Sequence, residues 1–361
     1  MAPPEMKALA LGQRYWITIL INVLLRKGIS HGVSIKTAPT PKISPTELLV
    51  EVHSVACNPT DIMHIDIAGP AHSIIGCDFS GAVLEIGSQA TGNWKVGDRI
   101  AGVVHGGLFP DKGAFAQYLR VESDLAWKPP ESITDQQAAT FGISAVTAMQ
   151  GLYTKLDVPW PSPRTRNGAE EAKKTILIYA ASTSAGIYAI QLAKLSGYKV
   201  VATCSPHNFT LVKSYGADEV YDYHSPTTLS EIKVKHPDIE IAFDGVSLLE
   251  SAQFCADVVA PSGTKIQGVK FIHVLMYTLF GLPFAFLKPI GPYMGLGYEA
   301  MLEDREALVR FYGMLPDLIK EGKVKSIPVE VIEGEFEGLE RALGMLREKR
   351  VSGRKLVVDL I

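Results

Sequence analysis

The spacing of apolar and polar positions changes character twice along this chain. From Leu48 to Val55, aliphatic and β-branched residues partly alternate with polar ones between Pro45 and Pro59, which predicts a strand. Ser80–Gly87, Gly97–Val104 and Ala114–Val121 repeat that short, glycine-punctuated form, so the region up to about residue 130 predicts an all-β, barrel-like unit. After Thr134 the apolar residues Ala138, Ala139, Phe141, Ala145, Ala148, Met149 and Leu152 fall three and four apart, and a helical connector is expected. The proline-rich, polar run Val158–Gly168 then reads as an exposed loop.

A strand–helix rhythm follows. Thr175–Ala180 predicts a buried strand, Ala185–Ser196 a helix ending at Gly197, and Lys199–Cys204 a second strand. A helix over Phe209–Tyr215 and strands at Glu219–Tyr221 and Ile239–Asp244 continue the order, which argues for a parallel sheet with helices on both faces. Beyond a helix at Glu306–Lys320, strand patterns return at Ile327–Ile332 and Lys355–Leu360, around a helix from Phe336 to Arg350. The expected organisation is a first domain formed by 1–154 and 306–361, with a nucleotide-binding domain, 155–305, inserted into it.

Two apolar stretches stand apart. Tyr15–Leu25 is shorter than the roughly 20 residues a membrane span needs and is broken by Thr18 and Asn22, so it reads as a surface or partly buried insertion. Phe271–Phe284 is unusually apolar for a connection; it reads as a wall for a long acyl chain, as core packing or as a subunit contact.

Composition narrows the class. A chain of 361 residues has room for two domains. Its 35 basic and 38 acidic residues are scattered, which leaves no footprint for a nucleic-acid backbone. Cys57, Cys77, Cys204 and Cys255 lie far apart without a CxxC pair, as expected of reduced thiols in a cytoplasmic protein. The N-terminus shows no secretory signal pattern.

Candidate chemistry sits at two turns. Tyr179-Ala180-Ala181-Ser182-Thr183-Ser184-Ala185-Gly186 falls where a first strand-to-helix turn binds pyrophosphate, because small side chains let phosphates approach backbone N–H groups at a helix start. It keeps only Gly186 of a GxGxxG pattern, and a plain helix cap is the alternative. At the end of the second strand an NAD enzyme usually places an acid for the ribose hydroxyl. Here Thr203-Cys204-Ser205-Pro206-His207-Asn208 offers donors instead, with Lys213 one turn on, so NADPH is favoured over a simple helix cap.

Through Met6-Lys7-Ala8-Leu9, Asn58-Pro59-Thr60-Asp61, Gly76-Cys77-Asp78-Phe79-Ser80-Gly81, Lys95-Val96-Gly97-Asp98-Arg99 and Gly353-Arg354-Lys355-Leu356-Val357, the chain resembles the medium-chain dehydrogenase/reductase family. The resemblance implies an α/β fold, in which a GroES-like β-barrel catalytic domain accompanies a Rossmann domain with a doubly wound parallel sheet. Zinc enzymes of that family carry a Cys ligand where Asn58 stands and a His-Glu pair after Gly76. Neither is present here, so no metal is expected, and Cys77 reads as core packing.

Ala56-Cys57-Asn58-Pro59-Thr60-Asp61, Cys204-Ser205-Pro206-His207-Asn208-Phe209, Gly216-Ala217-Asp218-Glu219-Val220 and Asp222-Tyr223 further resemble the fungal trans-acting enoyl reductases of polyketide biosynthesis, the lovastatin enoyl reductase and ToxD-like group. That resemblance implies a monomeric, NADPH-dependent reductase of enoyl thioesters, working with a polyketide synthase or its acyl carrier domain. It implies Thr60, Asp61, Ile62 and Met63 beside the nicotinamide, with Val351 and Ser352 near the same ring. It assigns Ser182, Thr183, Ser184 and Ala185 to the pyrophosphate, and Ser205, Pro206, His207, Asn208 and Tyr223 to the adenosine phosphate. Thr147 would lie near the nicotinamide, and Thr147, backbone N–H groups or the nicotinamide ribose hydroxyl would polarise the substrate carbonyl. Two departures stand out: Met63 replaces a family lysine, and roughly Arg14–Gly32 lengthens the first hairpin, as a genuine loop or a translated intron. A quinone or alkenal reductase of small free molecules, and a synthase-binding partner without catalysis, are the competing readings.

Overall fold

Chain contacts divide the protein into two units, Met1–Ile143 with Tyr312–Lys320 and Ser326–Ile361, and Ser144–Phe311 with Glu321–Lys325. The computed structural model describes residues 2–12, 32–68, 70–162, 174–259, 265–268 and 302–361. Tyr15–Leu25, nearly all of Arg14–Gly32, the end of the 158–168 loop and Phe271–Phe284 lie outside the described residues. The division falls between Ile143 and Ser144, ahead of the 154/155 boundary expected from sequence.

The first unit is built on β3 (Glu47–Ala56), which is apolar enough to be buried along most of its length. On one edge it pairs antiparallel with β4 (Asp78–Ile86); β6 (Tyr118–Glu122) and β14 (Lys355–Asp359) share the other. The sheet continues from β4 to β5 (Arg99–Val103) and β7 (Ala126–Trp127), and from β14 to β13 (Val329–Val331). Register shifts at Leu49/Val50 and Val52/Ser54 bend β3, as bulges do where a sheet curls. Helix α9 (Glu335–Arg347), which follows α8 (Leu302–Lys320) in the chain, turns Phe336, Leu339, Ala342 and Leu343, spaced three, three and one, into a core with Leu48, Phe79, Ile100 and Phe115.

A separate hairpin pairs β1 (Glu5–Leu11) with β2 (Val33–Pro39), from Glu5↔Pro39 to Leu11↔Val33. The sequence reading omitted β2, whose residues are mostly half-buried or exposed.

The expected continuous connector is two short helices, α2 (Asp135–Ala139) and α3 (Ile143–Met149). The break has a physical cause: Asp78 Oδ1 accepts the Ile143 N–H at 2.6 Å, and a Cβ on Gly142 would lie 2.2 Å from that oxygen.

The second unit carries a five-stranded sheet in the order β10-β9-β8-β11-β12, with every pair parallel. The strands are β8 (Thr175–Tyr179), β9 (Lys199–Cys204), β10 (Glu219–Asp222), β11 (Ile241–Asp244) and β12 (Lys265–Gly268). All five residues of β8 are buried, which is why it reads as a continuous apolar run. Helices α4 (Ser184–Leu195), α5 (Phe209–Ser214), α6 (Thr228–Lys235) and α7 (Leu249–Val259) connect or follow these strands. The order reverses beside β8, and ligands of such sheets bind at the carboxyl ends of the strands at that point. No helix among the described residues is long and apolar enough to cross a membrane.

Candidate active site

In the nucleotide unit, β8 gives way to a turn whose Ala180 adopts φ 55°. Thr183 caps α4: its Oγ1 accepts from the Gly186 N–H at 3.1 Å and donates to the Ala180 carbonyl at 2.8 Å. A Cβ on Gly186 would come within 2.7 Å of that carbonyl and 2.8 Å of Ala181 Cα, so only glycine lets the helix start pack against the turn. On β11's side, a Cβ on Gly245 would meet Thr183 Oγ1 at 2.8 Å. Ser182, Thr183, Ser184 and Ala185 stay partly exposed with no bulky side chain among them. Such a cradle fits a pyrophosphate.

The second turn gathers the hydroxyl and imidazole groups expected there. Ser205 Oγ donates to Tyr223 Oη at 3.3 Å, and Asn208 Nδ2 lies 3.2 Å from His207 Nε2. Pro206 and His207 are exposed, Ser205 and Tyr223 half-buried, and Asn208 buried. Tyr179 extends the aromatic surface, with ring centroids 5.9 Å from Tyr223 and 5.2 Å from Phe254. Asp222 is a neighbour the sequence reading did not weigh. It pairs with Cys204 across β10 and β9 and accepts the His224 N–H at 3.0 Å. Thr147 is half-buried on α3, and Lys213 is exposed on the last turn of α5.

In the other unit, β3 leads through extended Asn58 into α1 (Pro59–Met63), with proline at the first helical position where its missing N–H costs nothing. Asn58 and Asp61 close this turn, the Asn58 N–H donating to Asp61 Oδ2 at 2.7 Å and the Asp61 N–H to the Asn58 carbonyl at 3.1 Å. Asp61 is wholly buried, whereas Thr60, Ile62 and Met63 are partly exposed. Val351 is half-buried and Ser352 exposed.

Behind the turn lies a charged cluster that sequence reasoning missed. Asn58 Nδ2 donates to Asp78 Oδ2 at 2.9 Å and to the Ala56 carbonyl at 3.1 Å, while Lys355 Nζ donates to Asn58 Oδ1 and lies 3.4 Å from Asp78 Oδ2. Burial pushes the Asp61 carboxyl up to about 7, with the Asp78 charge adding to the rise and the Asn58 N–H and Lys355 opposing it. Burial also raises Asp78, against the pull of Lys355, the Ile143 N–H and Asn58. The Cys57 and Cys77 thiols are pushed well up by burial and by neighbouring carboxylates.

Asp61, His64 and Cys77 bring one potential ligand atom each within 4.8 Å of one another. Asp61 and His64, three apart on one helical path, were the signal for this grouping. All three side chains are buried. The adjacent Asn58 amide is committed to Lys355, Asp78 and Ala56, with a protein ammonium already supplying positive charge there.

Residues 44–131 match the alcohol dehydrogenase GroES-like domain family and residues 185–267 the zinc-binding dehydrogenase family. The trans-enoyl reductase thnE of Trichoderma harzianum is 34% identical over 339 residues, covering 90% of this chain and 92% of the relative. The trans-enoyl reductase TOXD of Cochliobolus carbonum is 39% identical over 254 residues, covering 67% and 84%. Among solved structures, the quinone oxidoreductase of Coxiella burnetii superposes with a TM-score of 0.72 at 24% identity, covering 99% of this chain and 100% of that one. The CurK enoyl reductase gives 0.71 at 17%, covering 99% of each.

Proposed function

Since this chain belongs to the medium-chain dehydrogenase/reductase family, with fungal trans-enoyl reductases among its relatives, we propose that it is an NADPH-dependent, trans-acting enoyl reductase. It reduces the α,β-double bond of an enoyl thioester presented by a polyketide synthase or its acyl carrier domain, and works as a cytoplasmic monomer. The observation that carries this reading is the 34% identity to a trans-enoyl reductase over 92% of that protein's length. Four buried, free thiols agree with a reducing compartment.

Ser182 to Ala185 hold the pyrophosphate against the start of α4, where unpaired N–H groups and the helix dipole favour anions. Ser205, His207 and Asn208, with Tyr223 behind Ser205, hold the 2′-phosphate by hydrogen bonds. Pro206 fixes the bend between them. Thr60, Ile62 and Met63 offer their partly exposed faces to the nicotinamide, and Asp61 anchors the same turn from its buried side. Val351 and Ser352 border that ring.

When bound, NADPH supplies the hydride for the β-carbon. Thr147 donates a hydrogen bond to the thioester carbonyl and so stabilises the charge that develops on its oxygen. In this reading no metal takes part: the Asn58 amide, tied to Lys355, stands where zinc enzymes of the family are expected to carry a ligand. No side chain is assigned as proton donor to the α-carbon, a step that water can serve.

The test is NADPH oxidation with carrier-bound and free enoyl thioesters of increasing length, alongside simple quinones and alkenals. Turnover of carrier-bound enoyl chains with little on quinones supports the reading. Turnover of quinones alone replaces it with a small-molecule reductase, and cofactor binding without any oxidation replaces it with a binding partner.

A further inference from the structure

A buried lysine has to justify its place, because removing an ammonium from water costs several kcal/mol unless it is paired and hydrogen-bonded. Lys355 is only 3% exposed at the first position of β14, where an aliphatic residue would pack more cheaply. Its ammonium reaches Asn58 Oδ1 and Asp78 Oδ2.

We propose that Lys355 is a positioning residue for hydride transfer, orienting Asn58 and through it the Thr60–Met63 turn; this rests on the reading above that places the turn beside the nicotinamide. An ammonium only donates, so it accepts one face of the Asn58 amide, the oxygen. With Oδ1 on Lys355, Nδ2 points to Asp78 at 2.9 Å and to the Ala56 carbonyl at 3.1 Å. A flipped amide would set NH₂ against the ammonium and the carbonyl oxygen against two acceptors. The side chain therefore has one stable orientation, and the Asn58 backbone N–H is left to close on Asp61 Oδ2 at 2.7 Å.

The same ammonium balances Asp78, whose other oxygen receives the Ile143 N–H at 2.6 Å. One cation from the C-terminal strand thus joins the exit of β3, the first residue of β4 and the start of α1. A simple charge-balancing role would need only Asp78. The hydrogen bond to Asn58 is what carries the effect to residues 60–63.

The experiment compares the full-length chain with Lys355→Met and Asn58→Ala by three measurements: hydrogen–deuterium exchange over 57–66, NADPH affinity, and single-turnover NADPH oxidation by an enoyl thioester. Both variants are expected to exchange faster over 57–66, with 182–186 and 205–208 unchanged. Hydride transfer should fall about 10²-fold per folded molecule, the scale of a misplaced reacting geometry, while the NADPH Kd stays within about twofold. Asn58→Ala keeps the Lys355–Asp78 pair, so it decides the question if Lys355→Met does not fold.

Exchange over 57–66 that matches the wild type in Asn58→Ala would overturn the proposal, as would lowered stability with an unaltered transfer rate. A wild-type chain inactive on every enoyl thioester would instead remove the enoyl reductase reading, and exchange over 57–66 would then decide the positioning role alone.

Discussion

The Asp78 carboxylate caps a helix that begins 65 residues later: its Oδ1 accepts the Ile143 N–H at 2.6 Å. Helix starts leave such N–H groups without an internal partner, and this one is met by a fully buried side chain rather than by water. Gly142 leaves the space for it, since a Cβ there would stand 2.2 Å from the oxygen. Gly142→Ala should therefore destabilise the protein by about 1–3 kcal/mol, the usual cost of overpacking. Urea denaturation measures this, and an unchanged midpoint would mean that the contact yields easily.

The buried Asp61 predicts a pH dependence with a definite sign. Its carboxyl stands at about 7 in the folded chain against an ordinary 3.8. Between these values the folded state holds a proton that the unfolded state has released, so Asp61 makes stability fall as pH rises through the interval, and the loss levels off above about 7. Asp61→Asn removes that contribution. The difference in denaturation midpoint between variant and wild type should move in the variant's favour from pH 5 to pH 8; a difference that does not change with pH would contradict the assigned burial.

At the adenosine end, Ser205→Ala or His207→Ala should weaken NADPH by about 10–100-fold, near the value of one charge-assisted hydrogen bond. NADH, lacking the 2′-phosphate, should be bound as before. Calorimetry with both cofactors reads the contrast, and equal losses for the two would place these residues elsewhere on the nucleotide.

Gly186→Val tests the cradle. A branched side chain whose Cβ begins 2.7 Å from the Ala180 carbonyl forces α4 away from the turn. NADPH binding should drop by more than about tenfold, together with the Tm; cofactor titration and thermal melting check both, and tight binding by the variant would rule out this turn as the phosphate site.

Much of the architecture can be read from residue order because burial writes it there. Thr175–Tyr179 is inside on both faces and shows as an unbroken apolar run. β2 shows little, since its exposed and half-buried residues carry no alternation. The periodicity from Ala138 to Leu152 runs straight across the break at Gly142, because the group that causes the break belongs to a strand far upstream. The phosphate turn is legible as a cluster of small residues. The Asn58–Asp78–Lys355 cluster is not: its contacts span 20 and 297 positions, and Lys355 sits in a Gly-Arg-Lys run that looks like an ordinary solvent-facing charge.

The first hairpin is closed at its open end by two glycines. Its last rung joins Leu11 to Val33, and the Gly12 N–H donates to the Gly32 carbonyl at 3.0 Å. Whatever is encoded between those glycines departs and returns at the same doorway. The two ends stand one hydrogen bond apart, a gap that a short turn can close, so the pairing of Leu11 with Val33 sets no lower limit of its own on the length of this interval.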